Sequence, residues 1–200
     1  MSAEHHQDYL GAKFGMWLFL FTELLLFGGL FLLYAVYLGR YPREFASGGH
    51  ELSVVFGTVN TVVLLTSSLL VALALSALQL GRRLAALWLL AGTIGCAAIF
   101  LLIKYVEWSA KIGHDLYPGS TRIKAGPPGE NIFFSLYYLT TGLHALHVTI
   151  GAVLLGWALW QVRRGRIHAG DSIALENSAL YWHLVDLIWI FVFPLYYLVL

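Results

Sequence analysis

Five stretches of this chain stay apolar for about 20 residues or more, the length an α-helix needs to cross the hydrocarbon core of a bilayer at 1.5 Å per residue. They lie at residues 14–37, 54–80, 84–108, 132–162 and 179–200. In a bilayer core every peptide group must find its hydrogen bond within protein, so unbroken runs of this length are read as helices packed against one another. The expected fold is an all-α integral membrane protein, a bundle of five transmembrane helices forming a single transmembrane domain over residues 1–200. Composition agrees, since 59% of the residues are apolar and 12% are charged, against about a quarter charged in soluble chains. The tails and loops that remain are too short for a separate soluble domain.

Breakers separate the runs: Gly39-Arg40-Tyr41-Pro42, Gly81-Arg82-Arg83, the Gly/Pro-rich residues 113–130 and the charged residues 163–171. The three-residue link between the second and third runs makes those helices antiparallel neighbours. No internal repeat is visible, which weighs against a transporter built from inverted halves. Arg82 and Arg83, with Arg163, Arg164 and Arg166, abut helix ends in short loops on the side of Lys13. The positive-inside bias therefore places the N-terminus inside and the C-terminus outside. Arg163, Arg164 and Arg166 are also candidate lipid headgroup ligands, since anionic lipid attracts each by about 1 kcal/mol. No basic residue precedes Lys13 and no small-residue cleavage site follows the first run, so a retained span is expected there rather than a signal peptide.

A net charge of +1 with dispersed basic residues leaves no electrostatic footprint for nucleic acid. Cys96 is alone and lies in an apolar run, which excludes a disulfide framework, a CxxC redox pair, a cysteine-ligated zinc site and an iron–sulfur cluster.

Charged side chains at bilayer depth cost a few kcal/mol or more, so each is a functional candidate. The candidates are Glu23, Lys104, Glu107, His144, His147, His183 and Asp186, with Asn60 as an uncharged companion. Glu23 has no basic residue within helical reach; it must be protonated, paired to another helix, or bonded to lipid or buried water. Lys104 and Glu107, three apart, are expected to pair near the membrane surface. His183 and Asp186 repeat that spacing, with Asp186 expected to accept from a ring N–H of His183. His144-Ala-Leu-His147 invites a metal reading, but a dinuclear carboxylate site needs two Glu-x-x-His pairs and this chain has none. A bis-histidine haem needs histidines level on facing helices. His144 lies about 20 Å from the outer end of its run and His183 about 10 Å from the inner end of its own. Hydrogen-bonding core histidines are the expectation, with no metal.

The residues 133–134 and 141–151, Phe133-Phe134 then Thr141-Gly142-Leu143-His144-Ala145-Leu146-His147-Val148-Thr149-Ile150-Gly151, resemble the Phe-Phe … Thr-Gly-x-His-x-x-His-Val-x-x-Gly signature of subunit III of haem–copper oxidases. Tyr181-Trp182-His183-Leu184-Val185-Asp186-Leu187-Ile188-Trp189 is similar to the same family's closing Tyr-Trp-His-x-x-Asp-x-x-Trp helix, with Glu176 just upstream as a further motif residue. Thr22-Glu23 with Phe27-Gly28-Gly29-Leu30-Phe31 resembles the segment holding the family's membrane carboxylate, Asn60-Thr61-Val62-Val63-Leu64-Leu65 its Asn-Thr-x-x-Leu-Leu, and Glu107-Trp108 its Glu-aromatic pair. All five runs are covered, matching the later five helices of the seven-helix members.

The resemblance implies a subunit with no redox centre, in a bacterial plasma membrane, packed mainly on the catalytic subunit I, which holds haem and copper, and also on subunit II. It implies support of sustained turnover and proton uptake, and bound phospholipid in a cleft near Glu23. Cytochrome c oxidase is the first reading; quinol oxidase subunit III and the related accessory protein of nitric oxide reduction are the alternatives. A stand-alone carrier using Glu23, Lys104 and Glu107 as a pathway is the competing class, and it predicts transport by the isolated chain.

Overall fold

The computed structural model describes the backbone of residues 2–198 and the side chains of residues 11–198. Its elements are α1 (Ser2–Arg40), α2 (Pro42–His50), α3 (Val54–Gln79), α4 (Arg83–Gly113), α5 (Thr121–Ala125), α6 (Pro128–Arg163) and α7 (Ile173–Phe193), closed by a π-helical turn, Pro194–Leu198. Five are long and apolar enough to cross a membrane: Gly11–Arg40, Val54–Gln79, Arg83–Gly113, Pro128–Arg163 and Ile173–Leu198. Among the described residues there is no strand, only an isolated bridge between His168 and Asp171.

Four spans overrun the apolar runs. The third continues to Gly113 rather than 108, the fourth begins at Pro128 rather than 132, the fifth begins at Ile173 rather than 179, and the first extends past both its expected ends. The added turns carry Lys111, Glu130 and Glu176; a charge at the end of a span is tolerated where the helix leaves hydrocarbon.

The α3–α4 hairpin follows from Gly81. Its φ is 75°, a left-handed conformation that glycine adopts without penalty. With it there, Arg82 N–H reaches Ala77 O at 2.8 Å and Gly81 N–H reaches Leu78 O at 2.9 Å, the double bond that terminates a helix and reverses the chain. The two helices then pack along their length. Small residues are buried on both, Ala74 on α3 and Ala86, Thr93 and Ala97 on α4, whereas Gly57 of α3 faces the last helix, where a Cβ would stand 2.7 Å from Phe193 Cε2; small residues let backbones approach where no hydrophobic effect drives helices together.

Helix α6 lies at the centre, in contact with α1, α2, α4, α5 and α7. It meets α7 closely at Gly151, where a Cβ would stand 2.7 Å from Trp182 Cε3. The indole that fills this space donates from Nε1 to Ser67 Oγ at 3.0 Å, tying α7 to α3 as well. Helix α1 lies on the flank of α6 and α7, and its outward side chains such as Phe14, Trp17 and Leu32 are exposed. Helix α2 covers the Arg122 end, with buried Phe45 set against the rings of Tyr34 and Phe133. Tyr34 in turn donates to Leu195 O.

Candidate functional site

The polar candidates do not form one site. They resolve into two buried clusters and one groove, each built by a different set of elements.

The first cluster joins α1 to α6. His147 Nε2 lies 2.8 Å from Glu23 Oε2, and its other ring nitrogen, Nδ1, lies 2.8 Å from Leu143 O. A carbonyl only accepts, so Nδ1 carries a hydrogen. The Glu23 contact therefore holds a proton too, either on Nε2 or on the carboxyl. Both assignments leave the pair with zero net charge, which is what admits it to the interior at side-chain exposures of 14% and 9%. Pairing with another helix, one of the fates open to Glu23 in the sequence, is thus seen in the contact with His147. Phe27 packs edge-on against the imidazole and Tyr181 lies across it, while Tyr181 O–H donates to His147 O at 3.3 Å.

The second cluster joins α4, α6 and the π turn. Lys104 Nζ is 3.0 Å from Glu107 Oε2, as the spacing predicts, and the pair is enclosed by protein: the two residues are 3% and 2% exposed. Lys104 also donates to Tyr197 O–H at 2.6 Å. The Glu107 carboxylate accepts from Tyr137 O–H at 3.1 Å and from Tyr197 O–H at 2.8 Å. The ammonium stands 5.1 to 5.3 Å from the ring centres of Tyr137, Trp189 and Tyr197, close enough for cation–π attraction. Two phenols missing from the sequence candidates thus complete the pair. Pro194 is the signal that could have found Tyr197. Lacking an N–H, it cannot return a bond to the preceding turn, the last turn widens into a π-helix, and the adjacent Tyr196 and Tyr197 are both buried.

Among the remaining candidates two expectations need correction. His183 Nδ1 meets Ser68 Oγ at 2.7 Å, not Asp186. The sequence spacing considered one helix, whereas α3 offers a nearer hydroxyl. Asp186 is 3% exposed; neither of its oxygens takes a hydrogen bond from His183, and Ser68 is its polar neighbour. His144 is wholly buried, but as a flat ring against Phe100 and Trp189 rather than as a hydrogen-bonding core histidine, since neither ring nitrogen has a partner among the described residues. Asn60 is buried in the α3 face and its amide likewise makes no side-chain bond there. Glu176 lies in the first turn of α7, accepting from Ser172 Oγ at 2.7 Å and pairing with Lys13 at 3.0 Å. Arg163, Arg164 and Arg166 are exposed; Arg164 stacks on Trp160 at 3.9 Å. Among the described residues no three His, Cys, Asp or Glu side chains converge as metal ligands would.

The groove runs between α1 and α7. A hollow of about 320 Å³ lined by Leu24, Phe27, Phe31 and Phe191 adjoins one of about 300 Å³ lined by Trp17, Phe21, Leu180 and His183. The latter shares Leu180 and His183 with a third of about 530 Å³, where Lys13, Gln79 and Glu176 supply a polar end.

The family model for cytochrome c oxidase subunit III matches residues 2–199. The chain is 32% identical over 192 residues to the heme-copper oxidase subunit I+III of Aeropyrum pernix, covering 92% of this chain but 22% of that much longer protein. It is 30% identical to the cytochrome c oxidase subunit 3 of Thermostichus vulcanus, covering 98% of this chain and 90% of that one. To the cytochrome bo(3) ubiquinol oxidase subunit 3 of Pseudomonas putida it is 31% identical, covering 92% and 84%. A multi-pass bundle matched by that family from its second residue to its last but one is a subunit III of the haem–copper oxidases, and the chain belongs to the cytochrome c oxidase subunit III family.

Proposed function

We propose that this chain is the non-redox subunit III of a proton-pumping cytochrome c oxidase, supporting oxygen reduction and proton uptake by a catalytic subunit that holds the haems and copper. The observation that carries the reading is the neutral Glu23–His147 pair beside an apolar groove with a polar end. A carboxyl and imidazole sharing a proton can exchange it without a net charge entering the bilayer, and a groove of that shape takes acyl chains with a headgroup at Lys13 and Gln79. Quinol oxidase is the second reading, favoured by the likeness to the Pseudomonas putida protein.

Subunit I is the main partner; a relative in which I and III are one polypeptide supports that contact, with subunit II as a further neighbour. The single domain lies with its N-terminus inside, in a bacterial plasma membrane, and Arg163, Arg164 and Arg166 hold anionic headgroups at its inner face. The test is dissociation of this chain from the purified oxidase. Initial oxygen consumption is expected to survive and activity to decay early during sustained turnover, with haem and copper remaining on the catalytic subunits. Undiminished sustained turnover without the chain would overturn the reading. So would transport of a solute by the isolated chain in liposomes, which the carrier class requires.

A further inference from the structure

Asp186 lies on α7 with 3% of its surface exposed, and neither carboxyl oxygen has a hydrogen-bond partner among the described residues. No ion pair engages it there either. Ionised, it would be a buried charge with neither donor nor cation against it, which a protein interior avoids by keeping the proton. Asp186 therefore rests as the carboxylic acid.

Two neighbours connect this acid to the groove. His183 is one turn before it on the same face of α7, and Ser68 of α3 stands beside both. Ser68 Oγ is 2.7 Å from His183 Nδ1, and Ser68 is the polar group facing Asp186. The contact one residue earlier on each helix, Trp182 Nε1 to Ser67 Oγ at 3.0 Å, fixes α3 and α7 in register at this level. His183 is half-buried and lines the hollow of about 530 Å³ at the Lys13 end of the groove, together with Gln79 and the paired Lys13 and Glu176. Ser68 occupies Nδ1, which leaves Nε2 to the hollow. The other titratable group set against Asp186 is the Cys96 thiol of α4, and it lines none of the three hollows of the groove.

We propose that Asp186 is a proton-storage site, filled and emptied from the polar hollow by way of His183 and the Ser68 hydroxyl. At rest Nε2 carries the imidazole hydrogen and Nδ1 accepts from Ser68. In release the Asp186 O–H proton passes to Ser68 Oγ while the Ser68 O–H proton passes to His183 Nδ1, and the imidazolium so formed gives its Nε2 proton to the hollow. Serine loses one O–H bond and gains one, histidine gains one N–H and loses one, and aspartate loses its O–H, so a single proton leaves and a transient carboxylate remains. Uptake runs the same steps in reverse. The carboxyl is not bonded to Ser68 at rest, so each passage includes a turn of one short side chain between staggered positions. The reading of the chain as subunit III rests on Glu23, His147 and the groove and does not call on this site.

The test is hydrogen–deuterium exchange of the Asp186 carboxyl in the full chain, held in phosphatidylcholine nanodiscs and followed by the infrared C=O stretch of the protonated acid. This band is expected in wild type, missing from Asp186→Asn and displaced in Asp186→Glu, so it is identified even where one of the two variants fails to fold. On transfer to D₂O the band should shift. Ser68→Ala should slow that shift by about tenfold or more, the worth of one hydrogen bond to a charged group expressed as a rate, while Ser68→Thr, which keeps the hydroxyl, retains the wild-type rate. His183→Gln leaves Ser68 a hydrogen-bonding amide but no group that gains and loses a proton; slow exchange there separates a relay from a structural contact. Cys96→Ala should change nothing. Absence of an acid band belonging to Asp186, a wild-type rate in Ser68→Ala or in His183→Gln, or equal slowing in Cys96→Ala would each overturn the proposal. None of these results bears on how the oxidase behaves once this chain is dissociated, so the site and the subunit reading fail separately.

Discussion

Removing the carboxylate of Glu107 should expose the energetics of the α4 interior most directly. In the native cluster Glu107 accepts from Lys104 and two phenols, and both members of the ion pair are almost wholly buried. Glu107→Ala leaves the Lys104 ammonium with two phenol oxygens and three ring faces. The ring faces are already in place in the wild type, so they offer no new compensation. An uncompensated buried charge then costs about 3–5 kcal/mol. Lys104→Met is milder, because the remaining carboxylate keeps both O–H donors; a loss of about 1–3 kcal/mol is expected, within the range for a charged group that retains hydrogen bonds. The double variant Lys104→Met/Glu107→Ala removes both charges together and should be less destabilised than Glu107→Ala alone. The assay is SDS-titrated unfolding of the full chain in mixed micelles, followed by tryptophan fluorescence. A cost for Glu107→Ala below about 1 kcal/mol, the worth of a surface pair, would refute the argument. Strict additivity of the two single losses in the double variant would refute it as well, since residues in one network must couple.

Glu23→Gln keeps a donor for His147 Nε2, so the chain should unfold within about 1 kcal/mol of wild type; in the assembled oxidase, initial turnover should be retained while the active lifetime during sustained turnover shortens. Gly151→Ala would gain up to about 1 kcal/mol by helix propensity alone, but its Cβ would meet Trp182 Cε3 at 2.7 Å; a net loss of about 1–3 kcal/mol from overpacking is expected in the same unfolding assay, partly relieved in Gly151→Ala/Trp182→Phe. Replacing Arg163, Arg164 and Arg166 together with Gln should lower the anionic phospholipid retained by the purified complex without inverting the chain, as read by lipid mass spectrometry and accessibility of single cysteines in the loops.

The elements most legible in the sequence are those that a bilayer itself dictates. The second span begins at Val54, where the apolar run begins, and ends one residue short of it, because Gly81 can serve only as a reversal. The overrun spans mark the opposite case. Hydrophobicity stops at the edge of the hydrocarbon, whereas the helix is stopped by its own hydrogen bonding, and between the two lie turns such as those carrying Lys111 and Glu176. Helices α2 and α5 are shorter than any periodic signal. They are held by tertiary contacts instead, such as Phe45 against Tyr34 and Phe133.

The polar residues divide along the same physical line. Lys104–Glu107 was readable because both partners share a helix face, so the contact depends only on the pitch. Glu23 and His147 are 124 positions apart, and nothing in the spacing of either helix relates them. His183 and Asp186 share the spacing of Lys104 and Glu107 without the bond, since Ser68 on α3 competes for the imidazole. Helical spacing therefore states which partners are within reach, and the packing of neighbouring helices decides which reach is used. The π turn after Pro194 is the clearest instance. One missing N–H near the end of the last helix widens its final turn, and the tyrosines there engage separate helices: Tyr196 meets Thr140 Oγ1 at 3.0 Å and Tyr197 the Lys104–Glu107 pair. The closing of the bundle and the burial of the Lys104–Glu107 pair thus depend on the same five residues.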